Sequence, residues 1–517
     1  MRPTIALLIL GLIILTGGCS DSGDPVDGVF IIPGSLLLTS QADVDLLAGV
    51  REIRGSLQIT SFVDSLAVVD LTPLSTLTTI QGHLEIVRCP QLQSLNGLQN
   101  LTLVEGRIRL KDLPQLNSLS GLRNVLGADN LELLQLTSLA NLQGICAVEP
   151  SGQIHVDQCD SLKNLQGLEV LTHLDGLIVS KCPSLEDLSG LDRLAALRFL
   201  NIWGCDSLLR LADFSRLEDP VSVTFTQCSS FRYWSQFSEI EHLQNLTISG
   251  CDRFIRLSDL GDLDYLWELR VYSCPNFLTL SQHGRLPNLQ IMVLTSCPSL
   301  TDLQGLDNMP VLRDLRLQIG NNMTDLVGMG DLPRLATMVI RGNMRVASIE
   351  DLPAYPELYD LELTGFSNLE NLLGLSRQQN LQRLLISACG MERLSGAGFL
   401  PKLTDLSLGS NSALMDLYGL QASASLANFQ LAYNHALPDL SGLEWLRHCD
   451  RMVIGPNNGL ISLEGLDNLA TIGNGGIFIN SNPVLSTCDA ADFLAQLEIQ
   501  GPFTNLGNGP CAEAITR

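Results

Sequence analysis

Seven cysteines follow one another along the chain at a constant step of 23 residues: Cys159, Cys182, Cys205, Cys228, Cys251, Cys274 and Cys297. Thiolates bind soft metal ions and act as nucleophiles, so a cysteine array raises the question of chemistry. A zinc site gathers four ligands around one point, whereas residues one repeat apart form a line. The constant step therefore favours a structural column of buried cysteines, and we expect no metal site.

Other reactive residue types are scattered. The seven histidines form no H-E-x-x-H motif, and the chain has no G-x-S-x-G motif and no phosphate-binding glycine loop. His448–Asp450 contains the residue types of a thiol nucleophile, but side chains adjacent in the chain rarely converge on one reacting atom. We therefore expect no enzymatic activity and no cofactor, and an enzyme is the least favoured of three functional hypotheses.

Aspartates recur in L-x-D-L units at Asp187, Asp302 and Asp325, and carboxylates in a row could hold calcium. Asn164 and Arg210 take the same place in other repeats. A column interrupted in this way fits a solvated acidic face better than a row of calcium ligands.

The elements that carry the cysteines are short repeats. In the stretch LTHLDGLIVSKCPSLEDLSGLDRL (Leu171–Leu194), Leu177 and Val179 alternate with polar residues, which predicts a short strand with one buried face. The later leucines are spaced by three, which predicts a 3₁₀-like return path, and Gly190 lies where that path must bend. On this register the chain forms about 19 short parallel strands in a β-rich solenoid.

One position of each repeat, here called the ladder position, is taken by cysteine or asparagine. Toward the C-terminus its occupants are Cys389, Asn411, Asn434, Asn457 and Asn482. Both side chains can donate a hydrogen bond to the backbone of a neighbouring coil, so the column would keep buried carbonyls paired. Stacked Cβ atoms stay nearer ~4.8 Å than the ~3.8 Å that a disulfide prefers, so we expect mostly buried thiols. Cys146 and Cys449 lie off the ladder and have no assigned partner.

These repeats resemble leucine-rich repeats, in which the ladder position accepts asparagine or cysteine. Val50–Ile59, Leu77–Leu101 and Leu103–Val125 resemble the receptor L-domain variety, with an I-x-G-x-L-x-I strand followed by L-x-S-L-x-G-L-x-N-L. The resemblance covers nearly all of the mature chain. It implies a right-handed stack of parallel strands with short 3₁₀ or irregular return paths, but it identifies no ligand, because such scaffolds carry many partners.

The first residues resemble a bacterial lipoprotein signal. The apolar run Ile5–Leu15 is too short to span a bilayer, and the motif LTGGC ends at Cys19. The resemblance departs at Thr16, where leucine is usual. It implies a signal peptide at residues 1–18, lipidation of Cys19 and a flexible tether at residues 19–30. An ordinary secretory signal with an incidental cysteine is the alternative. We expect an exported lipoprotein anchored in a membrane, at the outer membrane or cell surface.

Residues 31–485 are predicted to form the solenoid and residues 486–517 its C-terminal cap. Terminal rungs expose an apolar face, so both ends need covering. The sequence of Thr39–Val50 predicts an N-terminal capping turn or short helix. The C-terminal segment has a helical apolar pattern bounded by Cys488 and Cys511, which we expect to form a disulfide in an oxidising compartment.

The charge of the chain restricts its partners. The formal net charge is −24 and the sequence pI is about 4.6. A strongly acidic body argues against nucleic acid, and against an anionic membrane face, as the partner of the solenoid. A protein or a glycan remains as the partner class.

Solenoids usually bind through the outward side chains of their strands, which lie two and four residues before each ladder position. Most of these are small and polar, but Trp203 and Tyr272 would be exposed aromatics, and Arg270, Arg316 and Arg341 a loose basic group. Such residue types dominate binding hot spots, although the arginines could simply offset neighbouring acids. The first hypothesis is a non-enzymatic envelope lipoprotein that binds a protein or glycan. The second is a structural envelope or spacer protein without a defined ligand.

Overall fold

The computed structural model describes residues 30–61, 67–145, 148–318, 320, 322–342 and 345–511. These residues fall into two compact units, one ending at Arg253 and the other beginning at Phe254. Each unit is a solenoid of short parallel strands with little helix, which confirms the predicted fold class.

The first unit contains two parallel sheets. Its strands are β1 (Phe30–Ile32), β2 (Leu36–Leu38), β3 (Val50–Ile53), β4 (Leu57–Thr60), β5 (Thr79–Ile80), β6 (Leu84–Val87), β7 (Leu103–Val104), β8 (Ile108–Lys111), β9 (Ala128–Leu134), β10 (Val148–Asp157), β11 (His173–Ser180), β12 (Ala196–Trp203), β13 (Val221–Thr226) and β14 (Leu243–Ser249). The main sheet pairs β2, β4, β6 and then β8 to β14 in order. A smaller sheet pairs β1, β3, β5 and β7.

The second unit repeats this plan. Its strands are β15 (Glu268–Tyr272), β16 (Ile291–Thr295), β17 (Asp314–Gln318), β18 (Thr337–Arg341), β19 (Asp360–Thr364), β20 (Arg383–Ser387), β21 (Gly398–Leu400), β22 (Asp405–Gly409), β23 (Leu420–Ala422), β24 (Ser425–Ala432), β25 (His448–Ile454), β26 (Thr471–Asn480), β27 (Glu498–Ile499) and β28 (Phe503–Leu506). The main sheet pairs β15 to β20, β22 and β24 to β26 in order, and both β27 and β28 pair with β26. The sheet therefore continues past residue 485, where the sequence predicted the cap to begin.

The main sheets owe their buried face to the period-two pattern of each strand. Ile154, Leu177, Leu200 and Val223 pair in register across β10 to β13, and all four are buried. Each partner lies one repeat further along the chain, so aliphatic side chains stack on one another. Apolar burial of this kind is the main stabilising term of the stack.

The return paths are short and include 3₁₀ helices at Thr72–Leu74, Ser120–Leu122, Trp234–Glu239, Leu257–Leu260, Leu306–Asn308 and Leu375–Arg377. Gly190 has a φ of +112°, and a Cβ there would lie 2.2 Å from the carbonyl oxygen of Leu165 in the preceding coil. Only glycine fits both the backbone conformation and the close approach.

One return path of the first unit is filled by aromatic rings. Phe231, Trp234 and Phe237 are buried with Phe225 from β13. The ring centroids of Phe225 and Phe231 are 4.7 Å apart, and those of Phe231 and Trp234 are 4.8 Å apart. These large side chains fill the coil, and they are core rather than a site.

Short helices lie near the two ends. Helix α1 (Gln41–Asp45) begins after Ser40, whose hydroxyl accepts a hydrogen bond from the Asp43 backbone N–H at 3.2 Å. Helix α2 (Thr487–Ala495) begins after Ser486, which caps it in the same way. Each cap pairs a helix N–H that has no partner within the helix.

Candidate functional site

The ladder cysteines of the first unit are buried. Cys159 and Cys205 point their thiols at the carbonyl oxygens of Leu133 and Val179 in the preceding coil, at 3.7 and 4.0 Å. Cys182, Cys228 and Cys251 are also fully buried. Burial raises the pKa of Cys251 to about 11. The Cys251 thiol therefore stays protonated at neutral pH, which disfavours a role for it as a nucleophile.

The ladder of the second unit changes from cysteine to asparagine. Cys274, Cys297 and Cys389 are buried, and so are Asn411, Asn434, Asn457 and Asn482. Asn434 Nδ2 donates to the carbonyl oxygen of Leu408 at 2.9 Å, while its Oδ1 accepts from the backbone N–H of Asn411 at 3.1 Å. The same arrangement continues to Asn508, which accepts from the backbone N–H of Asn482 at 2.9 Å. The sequence register missed Asn508 because it placed that segment in a separate cap.

Cys89 is a further buried ladder cysteine, with its thiol 3.9 Å from the carbonyl oxygen of Ile59, and the other five cysteines lie off this ladder. Cys488 and Cys511 form a disulfide with their Cα atoms 5.2 Å apart, which ties helix α2 to the end of the described chain. Cys449 is buried in β25, and its thiol lies 3.1 Å from the carbonyl oxygen of Arg451. Cys19 and Cys146 lie outside the described residues.

A left-handed residue precedes the ladder position in many rungs, a feature that the sequence pattern did not reveal. Gln135, Gln158, Lys181, Gln227 and Ser410 all have φ between 49° and 58°. The backbone N–H of Lys181 donates to the Trp203 carbonyl oxygen at 2.8 Å, so this turn still joins one coil to the next. The turn projects a further column of side chains beside the carboxyl ends of the strands.

The outward face of the first unit carries an exposed tryptophan at this edge. Trp203, at the end of β12, is 42% exposed. Its indole Nε1–H donates to Gln227 Oε1 at 2.7 Å, and the ammonium of Lys181 lies 4.7 Å from its ring centroid. Gly204 stands between Lys181 and Gln227 in the left-handed column.

Polar groups continue this edge toward the N-terminus. Ser180 pairs with Trp203 across β11 and β12, and its hydroxyl donates to Asp157 Oδ1 at 2.7 Å. The other carboxylate oxygen of Asp157 accepts from Gln158 Nε2 at 3.1 Å. We call Asp157, Ser180, Lys181, Trp203 and Gln227 the Trp203 platform. It presents an aromatic ring beside fixed hydrogen-bonding and charged groups.

The middle of the same sheet holds a network of ion pairs. Glu85, Arg109 and Glu132 pair in register across β6, β8 and β9. Arg107 lies 2.6 Å from Glu85, and Arg109 pairs with Glu132. Each charge has an opposite neighbour, so the network adds little net field at the surface.

The predicted basic group lies in the second unit, and each of its arginines faces a carboxylate. Arg316 lies 2.8 Å from Asp314, Arg341 lies 3.8 Å from Glu362, and Arg270 pairs with Glu268. The Glu268 carboxylate holds the pKa of Arg270 above its usual range. Tyr272 is only half-buried rather than exposed, and its hydroxyl accepts from Arg270 Nη1 at 3.1 Å. These contacts match the alternative interpretation, in which the arginines offset neighbouring acids.

No group of three or more His, Cys, Asp or Glu side chains among the described residues is placed to hold a metal ion. No helix in that part of the chain is both long enough and apolar enough to cross a membrane.

Comparison with known proteins supports the repeat type. Residues 49–167 match the family model described as Receptor L domain. This range contains all three stretches whose sequence resembles that family. Leucine-rich, L-domain-like repeats are therefore present in the first unit.

A solved structure similar to this chain is an internalin from Listeria monocytogenes, with 17% sequence identity and a TM-score of 0.32. The alignment covers 71% of this chain and 88% of the internalin. Among curated proteins, none matches.

Proposed function

We propose that this protein is a non-enzymatic binding scaffold of the bacterial cell envelope, and that the Trp203 platform contacts its ligand. The observation that carries the proposal is a large aromatic ring that is 42% exposed and yet held on two sides, by Lys181 and Gln227. A ring fixed in advance loses little conformational entropy when a partner covers it. Tryptophan is among the residue types enriched in binding hot spots.

The platform suits a protein partner better than a highly charged polymer. The chain carries a formal charge of −24, which disfavours nucleic acid. Lys181 beside the ring and Asp157 two strands away place both signs of charge on the platform, so a mixed polar and apolar surface would complement it. A glycan, which would stack on the ring and bond to the polar groups, is the other ligand class to be tested.

Binding to intact cells of the producing organism tests this proposal. Fluorescently labelled protein beginning at residue 31 is titrated onto cells treated with protease, with periodate, or left untreated. We expect Trp203→Ala to weaken binding about tenfold or more, as loss of a hot spot would. Trp267→Ala is the matched control, because Trp267 is also 42% exposed but lies in the second unit. Loss of binding after protease indicates a protein ligand, and loss after periodate indicates a glycan.

A structural spacer without a ligand is the second candidate, and the paired arginines of the second unit favour it. It predicts that untreated cells bind the Trp203→Ala variant and the unaltered protein equally, or bind neither. Either result would remove the support for recognition through the platform.

The envelope location is part of the same proposal and rests on the LTGGC motif that ends at Cys19. The test is the mass of the mature N-terminal peptide from the full chain expressed in a bacterium. We expect a peptide that starts at Cys19 and carries acyl chains, and Cys19→Ala should release the protein from membranes. An unmodified N-terminus would point to the ordinary secretory signal.

A further inference from the structure

The second unit has a groove of about 570 Å³ that lies away from the main-sheet positions considered above. Its lining includes Phe399, Tyr418, Glu444 and Trp445, with Gln421 between them. Aromatic rings and a carboxylate thus meet in one concave place, which no repeat rule requires.

The groove arises from the pairing of β21 with β23. Phe399 and Gln421 are register partners there, and Glu444 and Trp445 follow in the next repeat. Gly419 and Gly442 both have φ near +110°, and a Cβ at either would meet the preceding coil within 2.6 Å. Glycine is therefore fixed at these two positions, which lie in the lining of the groove.

The aromatic side chains that line the groove are not fully buried in the core. Phe399 is 53% exposed and Tyr418 is 52% exposed. Trp445 is half-buried, and its indole nitrogen is buried with no hydrogen-bond partner among the described residues. A donor left unpaired costs free energy, and folds tolerate such costs mainly at functional places.

The carboxylate of Glu444 is fixed by the backbone. Both of its oxygens lie 3.0 Å from the N–H of Gly442, which donates to them. The side chain is exposed but held at the rim of the groove beside the rings. An anchored negative charge next to aromatic faces provides two independent attractions for a cation.

We infer that this groove binds a small organic ammonium cation, with a quaternary ammonium group against the aromatic side chains and near Glu444. Aromatic faces attract such cations through their quadrupole, and a diffuse quaternary charge is cheaper to desolvate than a primary ammonium. The net charge of −24 raises the local concentration of cations further. A neutral sugar would stack on the rings and donate hydroxyl hydrogen bonds to the carboxylate, but it would gain no attraction between opposite charges.

Choline and 3,3-dimethylbutan-1-ol, its uncharged isostere, separate these two chemistries. Each is titrated into the full chain, and binding is followed by ligand-observed NMR at constant ionic strength. We expect saturable binding of choline and at least about tenfold weaker binding of the alcohol. Glu444→Gln, which keeps an acceptor for the Gly442 N–H, should weaken choline binding several-fold and leave the alcohol unchanged. Phe399→Ala should weaken both.

Tyr359→Ala is the matched control, because Tyr359 is an exposed aromatic of the same unit that does not line the groove. Equal affinity for choline and the alcohol would overturn the inference, since the groove would then be merely apolar. Absence of choline binding would overturn it as well. Flotation with phosphatidylcholine vesicles then separates two sources of the cation, a lipid headgroup and a free small molecule. If the ligand is a lipid headgroup, the protein floats with the vesicles. If the ligand is a free cation, it only competes for the groove and the protein does not float.

Discussion

The side-chain oxygen of Asn411 accepts a hydrogen bond from the backbone N–H of Cys389, at 2.9 Å, and so links two consecutive coils of the second unit. Its Nδ2 group donates to the carbonyl oxygen of Ile386 at 3.1 Å. One asparagine therefore pairs a buried donor and a buried acceptor at once. A cysteine can supply only a weak donor and a weak acceptor. Cysteine and asparagine therefore fit the same space at the ladder position, but they do not make equivalent hydrogen bonds.

Asn434→Ala should destabilise the second unit by about 3 kcal/mol or more. The change removes the partner of the Asn411 backbone N–H and a partner of the Leu408 carbonyl, and a buried polar group left unpaired costs about 1–3 kcal/mol. Urea unfolding of the variant and the unaltered chain gives the difference. Asn428→Ala, on the outward face of β24, is the control and should cost much less. A loss below about 1 kcal/mol for Asn434→Ala would contradict the bridging role.

Cys228→Ser should be tolerated, because the hydroxyl still donates and the volume changes little. Cys228→Asp should destabilise several rungs, because a buried charge would have no partner in this column. Thermal unfolding of both variants separates the two cases. Equal melting temperatures for Cys228→Asp and the unaltered protein would show that the ladder position is not a dry interior.

The repeat pattern was sufficient to predict the class of fold, because leucine spacing fixes which side chains face inward. Val179 and Cys182 are buried, as their places in the pattern require. The pattern could not reveal the left-handed turn at Lys181, because that conformation is set by the hydrogen bond to the next coil and not by residue type.

The candidate site was less predictable than the fold. The exposure of Trp203 follows from its place in the pattern, but its contacts with Lys181 and Gln227 depend on side chains from two other coils. Arg316 likewise has a carboxylate partner, Asp314, in its own strand. A list of outward residues does not show this pair. Contacts of this kind need coordinates, since the repeat fixes only the direction of each side chain.

Ser410→Gly should stabilise the second unit by up to about 1 kcal/mol, because Ser410 has a φ of 58° and a residue with a Cβ is strained there. Ser410→Val should destabilise it, since β-branched residues tolerate this conformation least. Ser407→Gly in β22 is the control and should destabilise by about 0.5–1 kcal/mol, because its backbone is extended. The same sign of effect for glycine at both positions, measured by urea unfolding, would contradict this account.

The native protein should expose few reactive thiols at pH 8, whereas unfolding without reductant should expose at least ten. Ten described cysteines are buried outside the disulfide, and burial raises the pKa of Cys389 to about 11. Counting with a thiol reagent before and after denaturation checks this. Few thiols in both states would mean that the ladder is oxidised, which would refute the structural reading of its cysteines.

Stability should fall as pH rises above 9, and the ladder thiols should account for part of the fall. The ordinary pKa of a cysteine thiol is 9.0 and burial raises the pKa of Cys251 to about 11, so between these values the unfolded chain loses a proton that the folded chain keeps. Stability from this thiol is therefore complete below pH 9 and is lost at up to about 1.4 kcal/mol per pH unit above it. Urea unfolding at pH 8, 9 and 10 should show a shallower decline for Cys251→Ser than for the unaltered protein. Parallel declines would mean that Cys251 ionises in the folded state as readily as in the unfolded chain.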